Sequence, residues 1–271
     1  MVGPTVLEGA HRDRVAVRPH HGVVAQVVVI GAGMGGLAVA ARLAAKRHQV
    51  RVVERLDRTG GKLHTAHRDG FAFDIGPSLF TLPAVYRDLF LKTGKPLEED
   101  VELVAVEPGF TYRFADGTTM RLPGVGVGPV AEAMQEALGG SAGEDWRALM
   151  QRAADMWALT RQDVLASPLE GPRSLLGLAK DPRNIATIAP HRTLRGLGRR
   201  YLADPRQRQV LDRYATYTGS DPRQAPAALL TVPYVEQTFG AWHISGGLGE
   251  LAKALTRRCE RLGVEFDLGV A

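Results

Sequence analysis

Residues 26–37 read Gln26-Val27-Val28-Val29-Ile30-Gly31-Ala32-Gly33-Met34-Gly35-Gly36-Leu37, and a second apolar run, Gln49-Val50-Arg51-Val52-Val53-Glu54, follows twelve residues later. Val27 to Ile30 is continuously apolar, the mark of a strand buried on both faces. Gly35 to Lys46 then carries Leu37, Ala41, Ala44 and Ala45 along one side of a helix. Gln49 to Glu54 makes the next strand. Strand, glycine turn, helix and strand compose a βαβ unit whose parallel pair belongs to a sheet covered on both faces. The glycines fit G-x-G-x-x-G in the position that binds dinucleotides. Gly31 permits the tight turn, Gly33 leaves room for a pyrophosphate, and Gly36 lets helix and strand approach closely. The helix N-terminus then offers free N–H groups and the positive end of its dipole. Glu54 ends the second strand, where its carboxylate can accept from an adenosine ribose and would repel a 2′-phosphate.

Immediately after the acid comes Arg58-Thr59-Gly60-Gly61-Lys62. A second glycine pair brings more backbone to the phosphates, and the cation beside it neutralises charge. A helix dipole contributes only about 0.3–1 kcal/mol at an exposed site, so an added cation is physically useful. Simple NAD folds do not need this loop, whereas large FAD oxidoreductases commonly carry it.

With 271 residues the chain can bury a large core or two smaller ones. Hydrophobic residues at 45% and charged residues at 23% describe an ordinary globular protein. The single cysteine, Cys259, excludes an intrachain disulfide and reads as a packed thiol. The net charge of +5 has a local source, with seven Arg against two Asp between Arg192 and Arg213. That stripe is expected to be a solvated helix surface, with an anionic lipid surface as its other use. Aromatic residues are not interleaved with it as base stacking requires, so nucleic acid is not an expected partner. Gly22 to Ala41 is free of charge and follows Arg12, Arg14 and Arg18, which imitates a leader or membrane span. Gly31, Gly33, Gly35 and Gly36 within it, and β-branched residues gathered mainly in its first half, fit a strand entering a glycine turn instead.

Residues Met1 to Ala25 show no periodicity and are expected as a disordered arm or misassigned start. Phe71 and Phe73 suggest a short strand, and Pro83 opens a helix to about Lys92. Phe110, Tyr112 and Phe114 alternate, Asp116-Gly117 turns, and Met120 and Leu122 return as a hairpin. From Glu144 to Ala166, Trp146, Met150, Ala153 and Trp157 recur at helical spacing, a core stripe. Gly246-Gly247 leads into an amphipathic helix through Leu248, Leu251, Ala254, Leu255 and Leu262. Val264 to Leu268 starts a further strand, so Ala271 reads as a cut and the chain as a fragment.

Together, Gly31 to Gly36, Glu54, Arg58-x-Gly60-Gly61 and Phe73-Asp74-x-Gly76-Pro77 resemble the phytoene-desaturase branch of the amine-oxidase-like FAD superfamily. Asp204-Pro205-Arg206, Tyr214-Ala215-Thr216-Tyr217 and Gly246-Gly247 resemble the bacterial desaturases of hydroxylated or methoxylated neurosporene-type carotenoids. The resemblance runs from about Val27 to the end. It implies an α/β fold: a Rossmann-like FAD-binding domain of the GDI/amine-oxidase-like kind with an inserted α+β substrate domain, and with the C-terminal half missing. The expected division is 26–100 and 241–271 for FAD binding and 101–240 for the partial substrate domain. The cofactor-binding set it implies is Gly31, Gly33, Gly35, Gly36, Glu54, Arg55, Gly60, Gly61, Lys62, Gly76, Pro77 and Ser78. Lys62 stands where the family more often has Arg, keeping charge without the bidentate fork. Leu56 stands where many amine-oxidase relatives have Arg.

The implied activity is FAD-dependent desaturation of a phytoene- or neurosporene-type polyene by hydride transfer to flavin, in carotenoid biosynthesis, with this fragment alone inactive. No catalytic residue is singled out: His64, His67, His191 and His243 are scattered without partner spacing. No metal site is expected. The partners expected are the hydrophobic polyene and, peripherally, a membrane surface, in a cytoplasmic protein or one at the inner face of the plasma membrane. Two other readings share the first βαβ unit: a flavin amine oxidase or other FAD- or NAD-linked dehydrogenase, and a non-catalytic GDI-like isoprenoid-binding protein.

Overall fold

The computed structural model describes residues 24–77, 79–162, 167 and 176–270. Strand β1 (Gln26–Ile30) leads through the glycine turn into helix α1 (Met34–Ala45) and strand β2 (Gln49–Glu54). A hairpin, β3 (Thr65–Arg68) with β4 (Phe71–Asp74), precedes helix α2 (Pro83–Thr93). Then come β5 (Leu103–Ala105) and the hairpin β6 (Phe110–Arg113) with β7 (Thr119–Leu122). Helices α3 (Val127–Leu138), α4 (Ala142–Thr160), α5 (Leu176–Ala179), α6 (Pro182–Ile188), α7 (Leu194–Tyr201), α8 (Pro205–Arg213) and α9 (Thr231–Phe239) follow. Strand β8 (Trp242–Ile244), helix α10 (Gly249–Arg261) and strand β9 (Glu265–Leu268) complete the order.

The residues pack around two apolar clusters. The first joins Leu37, Ala40 and Ala41 of α1 to Val50 and Val52 of β2 and to Leu251, Leu255 and Cys259 of α10. The second gathers Met120, Leu122, Met134, Trp146, Leu197 and Leu211 from β7 and the helices α3, α4, α7 and α8. Strand β8 returns the chain from the second cluster to the first by pairing antiparallel with β5, and Phe80 bridges Trp242.

The parallel sheet runs β1-β2-β9, with Val29 opposite Val52 and Val52 opposite Phe266. Among the described residues its helices cover one face only. Val28 and Ile30 are 63% and 89% exposed, which corrects the expectation of a sheet buried on both sides. The cause is that α1 and α10 pack side by side in one cluster on the face of Val50 and Val52. Ala25, read as the end of the arm, is already tied to the sheet, its carbonyl accepting from Gln49 N. Residues 1–23 lie outside the described residues, as does Ser78.

In α4 the expected stripe holds for Trp146, Met150 and Ala153, all buried. Trp157 is only half-buried and leans on the Phe239 ring, while Met156 points into the core in its place. Trp146 satisfies its indole N–H on Gln237 Oε1 at 3.0 Å, which a buried indole requires. The α-helical turns stop at Thr160, and residues 163–166 fall outside the described residues.

Candidate dinucleotide site and the adjoining cavity

The glycine loop has the geometry its spacing implies. Gly31 sits at φ +96°, open to glycine and strained for other residues, and donates to Val53 O at 2.7 Å. A Cβ on Gly36 would lie 1.9 Å from the Gly31 carbonyl oxygen, so only a bare α-carbon lets α1 cross the strand end. Gly33 and Gly35 behave differently. A Cβ on either meets nothing within 4 Å, leaving open space above the turn. Gly33 caps α1 without a side-chain acceptor, so the first amides of the helix keep free donors facing that space.

Glu54 clamps this loop. One carboxylate oxygen accepts from Ala32 N at 2.7 Å and the other from Leu56 N at 2.9 Å. These bonds, Leu56 first and Ala32 second, hold the carboxyl below the usual range. Each oxygen still has a lone pair for a ribose hydroxyl. The sequence placed the acid correctly but did not foresee that it braces the glycine turn as well.

The second loop is stitched to the first. Gly60 N donates to Ala32 O at 2.8 Å, Gly33 bridges Gly60, and a Cβ on Gly61 would lie 3.1 Å from Gly33 Cα. Gly76 reaches the same place: its α-carbon passes so close to Lys62 that a Cβ would sit 1.9 Å from the Lys62 carbonyl oxygen. Thus Gly31 to Gly36, Glu54, Gly60, Gly61, Lys62 and Gly76 converge. Lys62 and Arg55 are exposed cations, and the Arg58 Nε–H is buried without a partner. Pro77 continues from this cluster into the wall of a cavity.

That cavity, of 890 Å³, is lined by Pro77, Leu79, Thr81, Val104, Phe110, Arg213, Tyr217 and His243 among others. Its polar wall was not foreseen. The Arg213 guanidinium lies 3.8 Å from the Phe110 ring centre and 4.3 Å from that of Tyr214. Glu236, with a side chain only 4% exposed, accepts from Arg213 at 3.1 Å, Tyr214 at 2.7 Å and Tyr217 at 2.6 Å. Burial first, then the bond to Glu236, pushes the Tyr217 hydroxyl well above its ordinary value, so it remains a proton donor. The Tyr214–Tyr217 run was legible as a motif, but no local pattern pointed to Glu236 in α9. A groove of 800 Å³ lies at the other end of the strands, beside Gln26, Gln49 and Glu265, remote from the glycine loops.

The arginine stripe is not one surface. Arg195 pairs with Asp212, Arg206 with Asp204 and Asp116, and Arg213 with Glu236, leaving Arg192, Arg199 and Arg200 as its exposed members. Among the described residues no cluster of His, Cys, Asp or Glu could hold a metal, and no helix is long and apolar enough to cross a membrane.

Comparison with known proteins agrees with this geometry. The family profile of the NAD(P)-binding Rossmann-like domain matches residues 29–91. The chain is 32% identical over 246 residues to the 4,4'-diapolycopene oxygenase of Methylomonas sp, covering 90% of this chain and 48% of the relative. It is 31% identical to the neurosporene-forming phytoene desaturase of Rhodobacter capsulatus, covering 90% and 45%. It is 32% identical to the hydroxyneurosporene desaturase of Cereibacter sphaeroides, covering 91% and 50%. The chain therefore spans about half the length of the curated relatives it matches. Among solved structures, an oxidoreductase from Methanosarcina mazei superposes with a TM-score of 0.54 at 18% identity, covering 90% of this chain and 51% of that one. A putrescine oxidase redesigned in its cofactor binding superposes at 0.52 and 21%, covering 89% and 50%. These two share the fold. With a match to the NAD(P)-binding Rossmann-like domain at 29–91 and this likeness along nine-tenths of its length, the chain is similar to the carotenoid desaturases over about half of their length.

Proposed function

We propose that this chain carries the FAD-binding region, and part of the substrate region, of an oxidoreductase that desaturates a carotenoid polyene. The observation behind this reading is the docking of the Gly60-Gly61 loop on the Gly31–Gly36 loop through Gly60 N and Ala32 O. A single glycine turn suits any dinucleotide; the second loop adds backbone and the Lys62 cation, which suits the longer FAD.

The residues fit the group. Open space over Gly33 and Gly35 admits the diphosphate, and the free amides at the start of α1 face it. Glu54 keeps lone pairs for the adenosine ribose, and Lys62, Arg55 and Arg58 supply positive charge nearby. Gly76 and Pro77 carry the chain from this cradle to the 890 Å³ cavity, where an apolar substrate would lie beside the reactive part of the cofactor. When bound, FAD supplies a hydride acceptor, so the two hydrogens taken from adjacent substrate carbons leave as hydride and proton. The cavity's contribution is to exclude water and align the chain, with Leu79, Val104 and Phe110 as its apolar wall. A polyene dissolves in a bilayer, so the protein would meet its substrate at a membrane surface, with the exposed Arg199 and Arg200 toward anionic lipid.

The test is flavin retention by the full-length protein. Refolded with excess FAD and desalted, it should keep a flavin absorbance spectrum and turn over phytoene or neurosporene presented in liposomes. A folded protein that keeps no flavin removes the reading.

A further inference from the structure

Desaturation releases a proton as well as a hydride, and a cavity that excludes water must supply the proton's acceptor from its own wall. Among the described residues, three titratable side chains line the cavity beside Pro77: Arg213, Tyr217 and His243. Arginine stays charged in proteins and takes no further proton. His243 is exposed on β8. Tyr217 differs because a carboxylate stands directly behind it. Its hydroxyl donates to Glu236 Oε2 at 2.6 Å. The Glu236 side chain is only 4% exposed and lies behind the wall, so Tyr217 stands between the cavity and that oxygen.

The hydrogen bonds fix the direction in which a proton can pass. An Arg213 N–H donates to Tyr217 Oη, which turns the phenol's own proton toward Glu236 and leaves one lone pair on the oxygen. Glu236 Oε1 is occupied by Tyr214 at 2.7 Å and Arg213 at 3.1 Å, whereas Oε2 accepts from Tyr217. Burial, then the bond to Glu236, keeps the Tyr217 hydroxyl protonated, so it takes up a proton only by handing its own on. We propose, on the reading of this cavity as the desaturation site, that Tyr217 is the catalytic group that receives the substrate proton and that Glu236, acting through it, is where the proton comes to rest. One substrate C–H bond leaves its electron pair in the new C=C bond. Its proton forms an O–H bond on Tyr217 while the former Tyr217 proton bonds to Glu236 Oε2. The neighbouring C–H bond breaks the other way, its hydrogen leaving with the electron pair as hydride to the flavin. The carboxylate thus becomes a carboxylic acid, and the substrate is oxidised as the flavin is reduced. Arg213, which balanced the carboxylate beforehand, is then uncompensated and favours release of the proton. Tyr217 is 46% exposed, so the same hydroxyl returns that proton to solvent.

The test uses the full-length, flavin-loaded protein with phytoene in liposomes. A positioned acid–base group contributes about 10²–10⁴-fold, so Tyr217→Phe should lower kcat by about a hundredfold while KM changes little. Deuterium on the proton-losing carbon should slow Tyr217→Phe more than it slows the unaltered protein, because breaking that bond now limits the rate. A purely structural role would leave the isotope effect as it was. Glu236→Gln should repeat both results. A second readout needs no cofactor: in protein labelled at the tyrosine ζ carbon for NMR, the resonance lost in Tyr217→Phe should shift in Glu236→Gln. Tyr217→Phe keeps the ring of a half-exposed residue, so its kinetic arm stands even if Glu236→Gln unfolds the protein. A Tyr217→Phe rate within about threefold of wild type overturns the relay, as does a hundredfold loss, roughly, with the isotope effect unchanged. An unshifted resonance in folded Glu236→Gln, or a rate loss confined to His243→Gln, overturns it as well. If the unaltered protein holds flavin and desaturates phytoene in those cases, the functional reading stands and the relay alone falls. A protein that holds no flavin removes both.

Discussion

Asp74 accepts a hydrogen bond from Leu248 N at 2.9 Å, across 174 positions of sequence, at the start of α10. The other oxygen of Asp74 takes the Thr65 hydroxyl at 2.8 Å. One carboxylate thus ties the β3–β4 hairpin to the helix that ends in the third strand of the parallel sheet. Gly247 makes the approach feasible, since a Cβ there would stand 2.6 Å from Asp74 Oδ1. Leaving the part-buried Leu248 amide unpaired costs about 1–2 kcal/mol. Asp74→Ala should lower stability by that amount in urea titration, and Asp74→Asn by less, because an amide oxygen can still accept from Leu248. Equal midpoints for all three proteins would show that this bond is not made in solution.

Glu54 gives a pH dependence of definite sign. Its folded carboxyl is held below the ordinary range by the amides of Leu56 and Ala32. A depressed folded value means the stabilisation is complete at neutral pH and is lost as pH falls through the folded value. Other carboxylates behave alike, so the informative quantity is the difference between proteins. Denaturation midpoints measured from pH 7 downward should converge for wild type and Glu54→Gln on the acid side. Midpoints that stay equally far apart at low pH would contradict the bracing role.

Cys259 lies on α10 in contact with α1, its thiol donating to Leu37 O at 3.4 Å. Burial pushes that thiol up to about 12, leaving almost no thiolate near neutrality. A thiol reagent such as dithionitrobenzoate at pH 8 should therefore label the folded protein only as fast as it opens, and label it at once in denaturant. Rapid labelling without denaturant would mean that α10 does not pack on α1 as described.

Much of the site was legible because it is local. Gly31, Gly33 and Gly36 announce a turn through spacing alone, and Glu54 follows at the end of the next apolar run. The Gly60-Gly61 pair was visible too, although its seat on Gly33 was not. Partnerships across long separations were the unreadable part. Asp74 with Leu248, Glu236 with Tyr214 and Tyr217, and Arg258 with Asp100 leave no periodic trace, because side-chain hydrogen bonds constrain two points and not a repeat. The exposed face of β1 was misread for a related reason. Four apolar residues in a row say that a strand can be buried on both sides, not that a second layer is present to bury it.

The two central glycines of the turn should separate fold from ligand. Gly36 touches its own strand: a Cβ there would meet the Gly31 carbonyl at 1.9 Å, a contact with backbone that cannot rotate away. Gly36→Ala should therefore destabilise the protein by about 1–3 kcal/mol, the usual range for overpacking, whether or not cofactor is present. Gly33 has φ −72° and ψ 176°, which alanine adopts freely, and its Cβ would enter empty space. Gly33→Ala should leave the unfolding midpoint of the cofactor-free protein within about 0.5 kcal/mol of wild type, as surface changes do. The same methyl stands where a diphosphate must approach the backbone. FAD retention should therefore fall about tenfold or more, since one poorly placed hydrogen-bonded contact accounts for that factor. Thermal melts without FAD and flavin titration with it distinguish the two substitutions directly. A Gly33→Ala protein that binds FAD as well as wild type would move the diphosphate away from this turn, even though the Rossmann-like fold itself would be unaffected.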